Sequence, residues 1–138
     1  MQKYIDFTAG SLGAVFGYFF GGFDGLIHAL LAFVVIDYIT GIFAASIEHK
    51  LSSAAGFVGI KRKLTIFILV GVAHILDDEL HLFGSPELLR DGVISFYLAN
   101  EGLSILENAI RIGIPVPEVI KDKLEMFHEK KDKKDKKK

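Results

Sequence analysis

The chain has 138 residues, 16 Lys and Arg against 17 Asp and Glu, and a formal charge of −1; 51% of it is hydrophobic and its mean hydropathy is +0.39. That length builds one domain at most, and the lack of any cysteine excludes a disulfide framework, a thiolate zinc site and a thiol nucleophile. A charged fraction of 24% is ordinary, so the positive hydropathy means that charges are segregated from apolar residues, which argues against disorder and against an ordinary amphipathic globule.

The first apolar run, Phe7–Phe23, has 17 residues and no charge. It is near the lower limit for a span, since a bilayer core of about 30 Å needs about 20 apolar residues on a helix. No small-x-small cleavage site follows it, so it is expected to stay uncleaved. Gly10, Gly13, Gly17 and Gly21 fall three or four apart on it. Small residues at that spacing make a smooth face for close helix approach in lipid, predicting self-association or a tight hairpin with the second run. Gly21-Gly22-Phe23-Asp24-Gly25 reads as a tight external turn.

The second run, Leu26–Ile47, has 22 residues with one Asp and one His and meets the spanning length cleanly. Asp37, Thr40, Gly41, Ala44 and Glu48 share a face of it. An acid inside a span is costly and turns to a partner or to water. Asp37, Thr40 and Gly41 are therefore candidates for a pore-lining or subunit-contact stripe. His28 falls on the opposite face near the outer end.

The third run, Leu64–Leu76, is 13 residues long, and extends only if Lys61, Arg62 and Lys63 snorkel to the interface. The fourth, Val93–Ile114, contains Glu101, Glu107 and Arg111. Asn100, Ser104, Glu107, Asn108 and Arg111 cluster on one of its sides, and Glu107 and Arg111 have the spacing of an ion pair. Such a stripe needs shelter from lipid, and with three or four helices per chain a homo-oligomer is its natural source. The expected fold is an all-α, multi-span membrane protein with three or four transmembrane helices, at about 7–23, 26–47, 60–80 and 90–112 within a domain covering 1–114.

Basic residues set orientation. Lys50, Lys61, Arg62 and Lys63 anchor one connection, and the tail is Lys-rich, so both are expected to be cytoplasmic. The connection from Asp77 to Asp91 is acidic and reads as external. Pro115 and Pro117 stop the fourth run. Residues 115–128 are expected to form a short amphipathic segment with Ile120, Leu124 and Phe127 as its apolar stripe. Residues 129–138 (EKKDKKDKKK) are expected to be a disordered tail that associates with anionic lipid heads. From Lys121 onward the chain holds 9 Lys and 5 acids, a net of +4, leaving 7 basic and 12 acidic residues, a net of −5, before it.

His74, Asp77, Asp78 and His81 share a helical face, a spacing that two imidazoles and two carboxylates could use for a metal. No nucleophile or general-base motif accompanies them, and the blander reading, a solvated helix end beside an acidic loop, is preferred. No phosphate loop or nucleophile elbow occurs. No catalytic residue, cofactor or metal is expected, and neither the near-neutral pI of 6.5 nor the short Lys61–Lys63 block makes a nucleic-acid patch.

Three stretches carry a family resemblance. They are Asp37-Tyr38-Ile39-Thr40-Gly41; Lys50-Leu51-Ser52-Ser53 followed by residues 56–63 (GFVGIKRK); and residues 100–108 (NEGLSILEN) leading into Gly113-Ile114-Pro115-Val116-Pro117. In this order and spacing, over about residues 10–125, the chain resembles the phage lysis and toxin-secretion holins of Gram-positive bacteria and their phages, including the clostridial toxin-export holins. The resemblance implies a timed pore-former of the host cytoplasmic membrane, which oligomerises and releases an endolysin or a large protein toxin, with an antiholin as a further partner. It implies no active-site residues. An antiholin role or a non-lytic channel or transporter subunit are the other functions that this sequence would fit.

Overall fold

The computed structural model describes residues 1–81 and 84–136, without the side chains of residues 127, 131 and 135. Five helices follow one another: α1 (Gln2–Phe20), α2 (Gly25–Ile47), α3 (Ser53–Leu80), α4 (Leu88–Ile112) and α5 (Glu118–Asp135). Among the described residues there is no strand.

Local chemistry sets most of the boundaries. α1 ends where Gly21 turns left-handed, with φ 75°, and the Gly22 amide reaches back to the Gly17 carbonyl at 2.6 Å. This αL ending suits glycine, which lacks a Cβ to clash. Asp24 then caps α2 by accepting from the Ile27 amide at 3.1 Å, and Ser52 caps α3 by accepting from Ala55 at 3.4 Å. The tight turn expected at residues 21–25 is thus formed. α4 has no cap of its own; Asp77 of α3 accepts from the amides of Leu89 at 3.0 Å and Arg90 at 2.8 Å.

The buried seam has nearly heptad spacing. α2 contributes Ile27, Leu30, Val34, Asp37 and Ala44. α3 contributes Ile66, Val70, Gly71, Ala73 and Asp77, and α4 contributes Arg90, Ile94, Glu101 and Asn108. α2 packs chiefly on α4, and α3 packs on the same α4. The apolar centre is Ile27, Leu30, Val34, Ile66, Val70 and Ile94. Around it the usual distribution is inverted. Asp37, Asp77, Arg90, Glu101 and Asn108 are buried, while large apolar side chains such as Phe7, Leu31, Phe43, Ile68 and Phe96 are exposed. Contiguous apolar surface of this kind marks contact with lipid or protein.

Two expectations are corrected. α1 does not pair with α2 along its glycines. Gly10 and Gly13 have nothing within 4 Å of an added Cβ, and Gly21 is the helix cap. α1 instead meets α3 through its last turn, where Phe19 lies over Gly71 so closely that any Cβ there would overlap the ring, and Phe20 meets Phe67 edge-on at 6.1 Å. The rings of Phe19 and Phe20 in the last turn make the contact, and Gly10 and Gly13 face no other helix. Secondly, the run from Glu129 is helical as far as Asp135. Lys and Glu are good helix formers, Glu129 faces Lys133 at 3.9 Å, and Lys133 and Lys134 sit in the last turn, where they suit the helix dipole. Leu124 is buried as expected of the apolar stripe; the side chain of Phe127 and residues 137–138 lie outside the described residues.

All five helices have the length for a span, but by length and apolarity together only α2 qualifies among the described residues. Lys63 and Asp77 of α3 and Arg90 and Glu101 of α4 turn inward, while Lys61, Arg62, Asp78 and Glu79 of α3 stay exposed.

Candidate functional site

Two charged clusters tie the helices together, one near each end of the bundle. In the first, Asp37 on α2 and Glu101 on α4 both accept from the Lys63 ammonium of α3. Lys63 Nζ is 2.6 Å from Glu101 Oε2 and also bonds Asp37 Oδ2. Asn108, one heptad further along the α4 seam in the direction of its C-terminus, donates to Asp37 Oδ1 at 2.9 Å, to the Asp37 carbonyl at 3.2 Å and to Thr40 Oγ1 at 3.0 Å. Thr40 donates back to the Ile36 carbonyl at 2.8 Å. Gly41 lies beneath Asn108, where an added Cβ would stand 3.6 Å from Nδ2. The residues are nearly sealed: Asp37 is 7% exposed, Glu101 3% and Asn108 5%. Two carboxylates share one ammonium, so the formal charge of the trio is −1.

Of the residues that the sequence singled out, Asp37, Thr40 and Gly41 meet here with Asn108, and Ser104 lines the adjoining cavity. Asn100 is exposed and lines a crevice that also reaches Asp37, Lys63 and Glu101. Glu107 and Arg111 do not pair with each other, which corrects that expectation. Arg111 instead bonds both oxygens of Glu48, at 3.0 and 2.8 Å, and Glu107 stands 2.9 Å from His128 Nε2 on α5. A two-pronged guanidinium–carboxylate bond is stronger than a helical i, i+4 contact. The Arg111 guanidinium holds the Glu48 carboxyl below its usual range.

Lys63 was expected to reach out to the interface with Lys61 and Arg62; it turns inward. The seam spacing carries the signal: Lys63 stands three residues before Ile66 and seven before Val70, on the buried stripe, and its two neighbours do not. Glu101 was equally legible, midway between Ile94 and Asn108 at intervals of seven.

The second cluster centres on Arg90, whose side chain has no exposure. It bonds both carboxylate oxygens of Asp24, at 2.8 and 3.1 Å, the carbonyls of Phe20 at 2.5 Å and Gly22 at 3.3 Å, and Asp91 at 3.0 Å. One guanidinium thereby joins the end of α1, the following turn, the cap of α2 and the start of α4. It holds the Asp24 carboxyl below its usual range. The carboxylates of Asp24, Glu87 and Asp91 come within 4.8 Å of one another, but Arg90 already supplies their counter-charge. On the face once weighed for a metal, Asp77 turns inward to cap α4 and His74 Nδ1 is buried without a hydrogen-bond partner.

The described residues form an all-helical bundle with a polar seam inside an apolar exterior. Residues 14–129 match the bacteriophage holin family, and the chain belongs to that family. It is 37% identical over 124 residues to a protein of Bacillus phage phi105 named "Probable holin", covering 90% of this chain and 89% of the relative. An uncharacterized protein of Listeria monocytogenes is 45% identical over 130 residues, covering 94% and 91% of the two chains. An uncharacterized 14.9 kDa protein of Clostridium perfringens is 37% identical over 129 residues, covering 94% and 96%. No solved structure matches.

Proposed function

We propose that the chain is a holin that crosses the host cytoplasmic membrane several times, associates with copies of itself, and opens lesions through which an endolysin or a large exported protein passes. Residues 1–114 form the membrane domain, with Lys50, Lys61 and Arg62 holding its cytoplasmic connection and α5 lying on the same side among anionic lipid heads. The observation that carries this reading is the inverted bundle, in which Asp37, Lys63, Glu101 and Asn108 are enclosed by helices with apolar outer faces. In the closed chain these groups satisfy one another. In an assembly they are the polar groups available to face water once neighbouring helices part. The glycine face at Gly10 and Gly13, open in a single chain, is available for contact between copies.

Induced expression followed by membrane potential and dye entry tests the reading. An abrupt collapse of potential after a delay is expected. Steady growth with intact potential overturns it and leaves a non-lytic channel, transporter subunit or antiholin.

A further inference from the structure

A cavity of about 240 Å³ lies between α2, the first turns of α3 and α4. It is lined at its depth by Asp37, Lys63, Ser104 and Asn108, and towards the α2–α3 connection by Lys50 and Ser52. Water occupies a cavity that has room and several polar partners; this one has space for several molecules, and hydroxyl, carboxylate, amide and ammonium groups converge at its end. Small residues keep it open: Gly41, Ala45, Ala55, Gly56 and Gly59 form much of the wall. A second crevice of about 510 Å³ reaches the same ion cluster from the other side, and the two share Asp37, Gly59 and Lys63. The Lys63 side chain is therefore the partition between them.

We infer that each chain contains an aqueous half-channel, open at the α2–α3 connection, which admits water as far as Asp37 and is stoppered there by the Lys63 side chain. Its direction, from the cytoplasm, rests on the topology proposed above.

The chain has no cysteine, so single cysteines report cleanly. Ala45→Cys and Gly41→Cys line the half-channel, and the added Cβ at Gly41 meets only ordinary contacts. Phe43→Cys, between them in sequence, replaces a side chain 57% exposed on the outer surface of the bundle. In inside-out vesicles a membrane-impermeant thiosulfonate should modify Ala45→Cys and Gly41→Cys at least several-fold faster than Phe43→Cys. Equal silence of Gly41→Cys and Phe43→Cys overturns the half-channel. Modification only from the outer face overturns the cytoplasmic opening. A chain that labels as expected yet never collapses the membrane potential keeps the half-channel and loses the lesion.

Discussion

Lys63 is the residue on which the first cluster turns, because its ammonium stands between two buried carboxylates, Asp37 and Glu101. Removing one partner of a buried ion pair costs about 3–5 kcal/mol when it leaves a charge uncompensated. Lys63→Met leaves two such charges and should lower the thermal midpoint steeply in micelles or vesicles. Asp37→Asn leaves Lys63 and Glu101 as a neutral pair and keeps an oxygen for Asn108, so its midpoint should stay much closer to that of the parent. A loss with Asp37→Asn as large as with Lys63→Met would refute the charge count. For function the order reverses in interest: a near-parental midpoint for Asp37→Asn makes any altered time of lysis attributable to the polar seam itself. Unchanged timing would remove Asp37 from the mechanism. At the other pole, Asp24 is held below its usual range by Arg90. A depressed carboxyl contributes stability above its unfolded pKa, and that contribution disappears as pH falls through the lower folded value. Thermal midpoints by circular dichroism should therefore drop on acidification below the ordinary carboxylate range. Asp24→Asn should flatten that part of the profile.

At the scale of the element, the α1–α3 contact depends on Gly71 having no side chain. Gly71→Leu should drive Phe19 off α3 and detach the last turn of α1, seen as increased proteolysis near residues 17–24. Phe19→Ala added to it should restore part of the protection, because the clash is with that ring. Helix identity is readable from apolar runs, the first turn from Gly21 to Gly25, and the end of the fourth run from Pro115 and Pro117, because these signals are local. The partner of α1 is not, because glycine spacing announces a smooth face without saying whether large rings elsewhere keep it from use. The helical state of residues 129–135 is not legible from charge content, which points to disorder, whereas the helix propensity of Lys and Glu favours the helix.

For the whole molecule, the sequence told that buried polar groups needed shelter, and shelter was sought in an oligomer. Much of it is instead internal: Asp37, Lys63, Glu101 and Asn108 satisfy one another across three helices of one chain. Reading each run as a separate amphipathic helix hid this, since Asp37 and Lys63 lie 26 residues apart and Lys63 and Glu101 lie 38 apart. Overlaying the heptad seams of α2, α3 and α4 would have revealed it. Asn100, Glu107 and Arg111 flank the seam rather than occupy it, Arg111 touching the cluster only through its bond to the Asn108 oxygen at 3.2 Å.

The start of α4 carries a last consequence. Its first free amides are taken by Asp77 of the preceding helix and by no residue of its own. α4 therefore has no complete beginning until α3 is beside it. During synthesis the two should enter the bilayer as a pair, with residues 81–87 carried across between them. Under the topology proposed above, a nascent chain arrested within α4 should still be shielded from protease on the outer side. Asp77→Ala should delay stable insertion of α4 while leaving that of α2 unchanged.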